Sequence, residues 1–339
     1  MRFKNFVGVD VSKDTLDFSI IKDQQFLFHQ RIENSKEAVN LFLKELKSNH
    51  KIGGKSTLFC LEHTGIYSKN LVTSLQRAKS SFWIESSLQI KLSLGLQRGK
   101  NDKIDSLRIA QYCQQNHQKF VQWQDPREII QKLKHLSTVR SRLGRLSKAL
   151  KAPITTIKAE KKMFKEISAL CIQSMKAINS DLKHTEDLML ELIKNDERLS
   201  HLFDILVSIE GVGEVLAIQL IIVTNEFKNF HSAKKFACYC GISPFEHSSG
   251  SSTKGKSKVS RVANMKMKTA LHMPTLSAIR CKGDIYNYYK KKIAQGHPTF
   301  SVLNAAKNKL VQRIFACVKE DRFYVKDKTK LTGNITTSY

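Results

Sequence analysis

Residues 6–10 read FVGVD and residues 58–62 read LFCLE, two short apolar runs that each end in an acidic residue. Aromatic and β-branched residues fill both runs, which is typical of buried β-strands. Further strand-like runs cover residues 16–21, 26–32 and 82–85, and helical spacing covers residues 36–48, 67–78 and 104–115. Three strands, then a helix, then strand and helix in alternation, is the order of an RNase H-like sheet. The N-terminal third is therefore predicted to be an α/β domain.

Acidic residues at the ends of these elements predict a metal site. Asp10 and Glu62 end the first and fourth strands, which lie side by side in an RNase H-like sheet, so their carboxylates should be neighbours. Asp102 and Asp105 are three residues apart where a helix begins, and this spacing places both on one helix face. Such carboxylates bind hard cations such as Mg²⁺, and paired ions catalyse phosphoryl transfer. For Asp102 and Asp105 the alternative is a solvated face of salt bridges with neighbouring basic residues.

The charge of the chain predicts a nucleic-acid partner. Lys and Arg number 57 against 30 Asp and Glu, which gives a net charge of +27 and a pI of about 9.8. Such an excess is typical of proteins that bind phosphate backbones. No stretch approaches the roughly 20 apolar residues that span a bilayer, and no signal peptide precedes the first strand. The seven cysteines are odd in number and scattered, as in reduced, cytoplasmic proteins, so we expect a cytoplasmic protein without a membrane partner.

The middle and C-terminal parts of the chain are predicted to be mainly helical. In residues 127–200, apolar residues recur at intervals of three and four, which predicts two long helices packed as an antiparallel coiled pair. This pair would act as an oligomerisation arm or as a solvated spacer. Residues 209–214, IEGVGE, are followed by an apolar run and resemble a helix–hairpin–helix. Gly211 and Gly213 would there let backbone amides face a phosphate, unless this is a plain helix–helix turn.

A serine-rich, basic segment follows. Residues 247–256 read HSSGSSTKGK and are predicted to be a loop, and a helix is predicted from residue 262 to about 279. No acidic residue lies between Glu246 and Asp284. The basic residues that we predict to contact nucleic acid are Lys254, Lys256, Lys258 and Arg261.

Several short motifs, taken in order, resemble one known family. The motifs are VDVSK at 9–13, LEHTG at 61–65, KNDKID at 100–105, EGVG at 210–213, CGISP at 240–244 and SG at 249–250. In order and spacing they resemble the DEDD-type insertion-sequence transposases, which include the pilin-gene site-specific invertases. The resemblance spans residues 5 to about 320 and implies a RuvC-like domain, a helical arm and a C-terminal transposase domain. We therefore expect a catalytic domain at 1–122, an arm at 123–201, a transposase domain at 202–325 and a polar tail at 326–339.

The resemblance also assigns roles to residues and partners. It implies that Asp10, Glu62, Asp102 and Asp105 are the catalytic acids. Four carboxylates supply about the charge that two Mg²⁺ ions require, so we expect a two-metal site. It further implies that Ser249 becomes covalently joined to DNA, with Ser248, Ser251 and Ser252 as the alternatives within the same run. Recombination of donor and target DNA guided by a structured bridge RNA is implied as well. Because recombination requires at least two strand breaks in one assembly, and the leucines of the arm bury best against a partner helix, we expect a homodimer or homotetramer. The competing hypothesis is a RuvC-like metal-dependent nuclease or Holliday-junction resolvase that uses water as the nucleophile.

Overall fold

A computed structural model describes residues 3–62, 65–93, 95, 101–156, 161–249, 253–259 and 263–325. The chain forms two compact units, Met1–Asp125 and Pro126–Tyr339. Arg261, Ser251, Ser252 and the polar tail at 326–339 lie outside the described residues. The arm helices belong to the same compact unit as the C-terminal helices, and the division into catalytic domain, arm and transposase domain stays a prediction.

The first unit is built on one mixed five-stranded sheet. Its strands are β1 (Asn5–Val11), β2 (Thr15–Lys22), β3 (Gln25–Glu33), β4 (Thr57–Glu62) and β5 (Ser81–Glu85). The order is β3-β2-β1-β4-β5, with β1, β2 and β3 antiparallel and with β4 and β5 parallel to β1. This is the strand order of an RNase H-like fold, so the predicted α/β fold class is confirmed.

Helices cover both faces of the sheet. They are α1 (Lys36–Asn49), α2 (Lys69–Arg77), α3 (Ser87–Ser93) and α4 (Asp102–Asn116), with short 3₁₀ turns at Gly54–Ser56, Gly65–Ser68 and His117–Lys119. The Ser35 side chain accepts a hydrogen bond from the Ala38 amide of α1, and the Asn101 side chain accepts one from the Ile104 amide of α4. These N-terminal caps fix where each helix begins. Successive strand residues point to opposite faces, so one face packs on α1 and α2 and the other on α3 and α4.

Gly8 sets the distance between α4 and the sheet. A Cβ at this position would lie 2.2 Å from the Ala110 nitrogen and 2.2 Å from the Ser106 carbonyl oxygen. Any larger residue would therefore push α4 away from β1. The Ser106 hydroxyl also lies 2.8 Å from that of Ser19, the residue paired with Gly8 on β2. Close contact at Gly8 brings the first turn of α4 toward the end of β1.

The second unit is mainly helical. It contains α5 (Glu128–Thr156), α6 (Lys161–Lys194), α7 (Glu197–Val207), α8 (Glu214–Thr224), α9 (Ala233–Tyr239), β6 (Pro244–Ser249), β7 (Thr253–Val259), α10 (Met265–Ala270), α11 (His272–Arg280), α12 (Asp284–Ala294) and α13 (Thr299–Lys319). As the leucine spacing predicts, α5 and α6 run antiparallel: Arg140 pairs with Glu186 at 2.6 Å, and Ser147 lies 3.5 Å from Asn179. Within the described ranges, no helix is long and apolar enough to cross a membrane.

Two predicted elements differ from the structure. The helix predicted from 262 to 279 is broken at Leu271 into α10 and α11. Pro274 explains the break, because proline lacks an amide hydrogen and its ring clashes with the carbonyl four residues earlier. Of the serine-rich segment predicted as a loop, residues 247–249 and 253–256 instead belong to the antiparallel strands β6 and β7.

Candidate active site and nucleic-acid interface

Asp10 and Glu62 lie side by side at one edge of the sheet. β1 and β4 are parallel, and Val9 pairs with Leu61, so the following residue of each strand is an acid at the carboxyl end. Asp10 lies on the same strand face as Phe6 and Gly8, and that face packs on α4. Both acids are partly exposed, whereas the residues before them are buried. The two strand-end acids are therefore neighbours in the sheet, as the sequence predicts.

Asp102 and Asp105 occupy the first turn of α4, where the unpaired amides of the helix favour negative charge. The contact at Gly8 places this turn close enough to Asp10 for the charges to interact. Burial, followed by the charges of Asp105, Glu62, Asp102 and Asp17, raises the pKa of Asp10 from 3.8 to about 6. The structure thus brings the four predicted acids into one electrostatic neighbourhood.

The four carboxylates do not yet form a closed set of ligands. Arg31 on β3 donates to the Oδ2 atom of Asp102 at 2.6 Å, and Arg108 donates to Oδ1 of Asp105 at 2.9 Å. Among the residues that the structure describes, no three His, Cys, Asp or Glu side chains converge closely enough to hold an ion. Asp102 and Asp105 are therefore each held by an arginine, which resembles the salt-bridge alternative weighed from the sequence.

Sequence reasoning missed two neighbours of this site. Asp17 on β2 is opposite Asp10, only 2% exposed, and it accepts from both Arg31 (3.0 Å) and His29 (2.8 Å). An acid inside an otherwise apolar strand was the signal that could have revealed it. Glu85 ends β5 beside Glu62 and accepts from the Tyr112 hydroxyl at 3.1 Å. Its position at the end of an apolar strand repeats the pattern of Asp10 and Glu62.

Ser249 lies at the tip of the β6–β7 hairpin. It is the last residue of β6 and pairs with Thr253, and Ser248 pairs with Lys254. Lys254, Lys256 and Lys258 all belong to β7. The hairpin thus carries the predicted serine at the end of one strand and three of the predicted basic residues on the other.

The two glycines between α7 and α8 have different surroundings. Gly211 has a φ of +88°, and an added Cβ would lie 2.4 Å from the Pro274 carbonyl oxygen, so this glycine allows close packing on α11. Gly213 precedes the first turn of α8, is exposed and has open space where a Cβ would stand. Of the two, only Gly213 is placed to expose helix amides to a phosphate.

An RNase H-like domain with acids at the carboxyl edge of its sheet, joined to a basic helical unit, defines a class of nucleic-acid-processing enzymes. Two family models match this chain: a transposase model of the DEDD type of IS110 over residues 7–157, and the transposase model of the IS116/IS110/IS902 family over residues 203–290. Together they cover most of the chain, and the chain belongs to this family of insertion-sequence transposases.

Individual relatives agree with the family. The chain is 24% identical over 331 residues to the pilin gene-inverting protein of Moraxella lacunata. The alignment covers 94% of this chain and 97% of the relative. It is 23% identical over 181 residues to an uncharacterised protein of insertion element IS116 of Streptomyces clavuligerus, covering 52% and 44% of the two chains. RuvC of Thermus thermophilus in complex with a Holliday junction matches with a TM-score of 0.27 and 10% identity, covering 34% of this chain and 95% of RuvC.

Proposed function

We propose that this transposase is a site-specific recombinase that cuts and rejoins DNA through a covalent serine intermediate. Asp10, Glu62, Asp102 and Asp105 hold divalent cations, with Mg²⁺ as the proposed ion, and Ser249 is the nucleophile. A structured RNA guides the protein to its DNA sites, as the family resemblance implies. Lys254, Lys256 and Lys258 of β7 and the first turn of α8 hold the DNA backbone.

The observation that supports the proposal is the concentration of negative charge around Asp10. In a chain with a net charge of +27, burial and then the charges of Asp105, Glu62, Asp102 and Asp17 raise the pKa of Asp10 to about 6. A cluster of carboxylates is costly unless a cation neutralises it. Its position at the carboxyl edge of the sheet, open to solvent, suits an ion that must also meet a substrate.

The donor set fits a hard divalent cation. All candidate ligands are carboxylate oxygens, which Mg²⁺ prefers, and they come from two strand ends and one helix turn. Arg31 and Arg108 now neutralise Asp102 and Asp105, so binding of a cation requires these arginines to release them. The exposed Arg31 side chain can swing into solvent while Asp17, its other partner, stays on β2. When bound, the ion would polarise the phosphate and stabilise negative charge on the attacking and leaving oxygen atoms.

The chemistry assigned to Ser249 conserves the number of phosphodiester bonds. Its Oγ atom forms a bond to phosphorus, one P–O bond of the DNA backbone breaks, the hydroxyl proton leaves to a base, and the released sugar oxygen takes up a proton. A DNA hydroxyl later attacks the same phosphorus and frees Ser249. Strand exchange by this route needs no nucleoside triphosphate.

Assembly into a dimer or tetramer is part of the proposal, because recombination requires several strand breaks in one complex. Apolar side chains remain exposed along the α5–α6 pair: Val139 is 44% exposed, Leu146 53% and Leu170 82%. Val139 and Leu146 are seven residues apart, so they lie on one face of α5. A second copy of the chain that covers this face would bury them.

Cleavage of a labelled DNA substrate with and without Mg²⁺ tests the proposal. Asp10→Asn, Glu62→Gln, Asp102→Asn and Asp105→Asn should each abolish cleavage and keep nucleic-acid binding, since binding comes from Lys and Arg elsewhere. Asp14→Asn, at an exposed turn residue of the same unit, is the control and should cut normally. Full activity in any two of the four variants would refute the assignment of the acids.

The nature of the nucleophile separates the proposal from its competitor. Ser249→Ala should bind DNA and Mg²⁺ normally and form no covalent protein–DNA product. If Ser249→Ala, Ser248→Ala, Ser251→Ala and Ser252→Ala all cleave DNA like the original protein, water is the nucleophile. The protein would then act as a RuvC-like nuclease.

A further inference from the structure

Five charged residues form a row across the five strands of the first unit's sheet. Arg31 pairs with Asp17, and Asp17 pairs with Asp10. Asp10 and Glu62 each follow a paired residue of the parallel strands β1 and β4, and Glu62 pairs with Glu85. Neighbouring strands lie about 4.8 Å apart, so the Arg31 backbone is roughly 10 Å from that of Asp10. The one basic residue of the row therefore borders the proposed metal site.

A buried carboxylate holds one corner of the Arg31 guanidinium. The Nε atom of Arg31 donates to both carboxylate oxygens of Asp17 at 3.0 Å, and Asp17 is only 2% exposed. His29, on the same strand as Arg31, contacts Asp17 at 2.8 Å. Asp17 needs these partners, because a buried charge without a counter-charge is costly. Asp17 is therefore the anchor of the guanidinium.

The outer end of the same guanidinium can change partners. Nη2 of Arg31 donates to Oδ2 of Asp102 at 2.6 Å, and the two side chains are 52% and 46% exposed. Nη1 donates to no residue that the structure describes. An ion pair this exposed contributes little to stability. Nη2 can thus leave Asp102 while Nε stays on Asp17.

Departure from Asp102 leaves both outer nitrogens of Arg31 beside the proposed metal site without a protein acceptor. If the whole side chain moved into solvent instead, buried Asp17 would keep only His29 as a partner, which disfavours that path. Guanidinium remains charged at every ordinary pH, and its planar fork of N–H groups matches two oxygens of a phosphate. A phosphate of the DNA is the acceptor that the proposed reaction brings to this place.

We propose that Arg31 is a catalytic residue that exchanges Asp102 for the phosphate undergoing cleavage. In the metal-free protein its Nη2 atom neutralises Asp102. When Asp102 serves as a metal ligand, Nη1 and Nη2 donate to the non-bridging phosphate oxygens and Nε stays on Asp17. Arg31 there stabilises the negative charge that develops on the phosphate during attack. The inference rests on the proposed function for its metal and its substrate.

Replacement of Arg31 tests this role because metal binding and cleavage should change in opposite directions. Arg31→Gln carries no charge, and Arg31→Lys offers one ammonium group in place of the planar fork. Without the arginine on Asp102, Mg²⁺ should bind up to about fivefold more tightly, as measured by melting temperature against Mg²⁺ concentration. Single-turnover cleavage of labelled DNA at saturating Mg²⁺ should nevertheless be at least about 100-fold slower.

A matched control and a binding measurement separate this role from general damage. Arg77→Lys changes an exposed arginine of α2, which packs on the other face of the sheet, and should alter neither Mg²⁺ binding nor cleavage. In EDTA the affinity of the Arg31 variants for a fluorescent 30-base-pair duplex should stay within about twofold of the original, because Arg31 then pairs with Asp102 and not with DNA. The expected loss is thus confined to the metal-loaded reaction.

The inference is overturned if Arg31→Lys cuts DNA at the original rate, since Arg31 would then be only a counter-charge for the acids. Slower cleavage accompanied by weaker Mg²⁺ binding would also overturn it, because distortion of the metal site would explain both changes. If Arg31→Gln does not fold, Arg31→Lys decides alone, since its ammonium can still pair with Asp17. An original protein that neither responds to Mg²⁺ nor cuts DNA would instead refute the proposed function, and this inference with it.

Discussion

Replacing Asp10 with asparagine should stabilise the metal-free protein while it removes the response to divalent cations. In the folded protein the pKa of Asp10 is raised from 3.8 to about 6, first by burial and then by four acidic neighbours. At neutral pH the ionised carboxylate therefore opposes folding. If the entire pKa difference reflected destabilisation of the folded state, the ionised carboxylate would lower the free energy of unfolding by about 3 kcal/mol. Because Asp10 is only partly buried, solvent screening reduces the expected value to about 1–2 kcal/mol.

The pH dependence follows from the same shift. Between about pH 4 and pH 6 the folded protein binds more protons at Asp10 than the unfolded chain, so the contribution of this residue to stability falls as pH rises through that window. Above about pH 6 the penalty is fully present. Asp10→Asn should lack this pH-dependent loss and should melt a few degrees higher at pH 7.5, at roughly 4 °C per kcal/mol.

Thermal melting with and without Mg²⁺ measures both effects. A cation at ten times its dissociation constant should stabilise the original protein by about 1.4 kcal/mol. It should leave Asp10→Asn unchanged. Asp14→Asn, at an exposed turn residue, should keep the original melting temperature and the original response. A lower melting temperature of Asp10→Asn than of the original protein in EDTA at pH 7.5 would refute the claim that the acids repel one another.

Three further predictions concern the second unit. Glu226→Gln should lower the free energy of unfolding by about 2 kcal/mol in urea denaturation, because the buried Glu226 carboxylate contacts Arg127, Arg198 and Lys228, of which only Arg127 would keep an acidic partner, Asp196. Gly211→Ala should destabilise by about 1–3 kcal/mol because a Cβ would overlap the carbonyl of Pro274, whereas Gly213→Ala should be nearly neutral; equal melting temperatures would contradict this. Replacement of Val139 and Leu146 by Gln should shift the protein toward smaller assemblies in analytical ultracentrifugation, and an unchanged mass on nucleic acid would exclude this face of α5 as the interface.

Much of the first unit could be predicted from the sequence because the local pattern of apolar residues identifies its strands. The runs ending at Asp10 and Glu62 are short, apolar and β-branched, and the order of elements selects one sheet topology. The spacing of Asp102 and Asp105 fixed their common helix face. The interaction of Arg31 with both Asp17 and Asp102 could not be predicted, because it depends on the register of β2 with β3 and on the packing of α4, which begins 71 residues further along the chain.

The second unit shows where local patterns mislead. Pro274 lies in the first turn of α11, just after the break between α10 and α11. A helix boundary placed before this proline would have divided the predicted helix correctly. The β6–β7 hairpin lacks the alternation of apolar residues that identifies strands, since serine and lysine fill it.

The measurement that tests the central claim most directly is the mass of the peptide joined to DNA. After reaction with Mg²⁺, nuclease and trypsin digestion should leave a nucleotide on the peptide that begins after Lys235 and ends at Lys254, which contains Ser249. Fragmentation should place the phosphodiester on Ser249, and the modified peptide should be absent when Asp10→Asn is used. Metal-dependent cleavage with no nucleotide on any peptide of the protein would contradict the account.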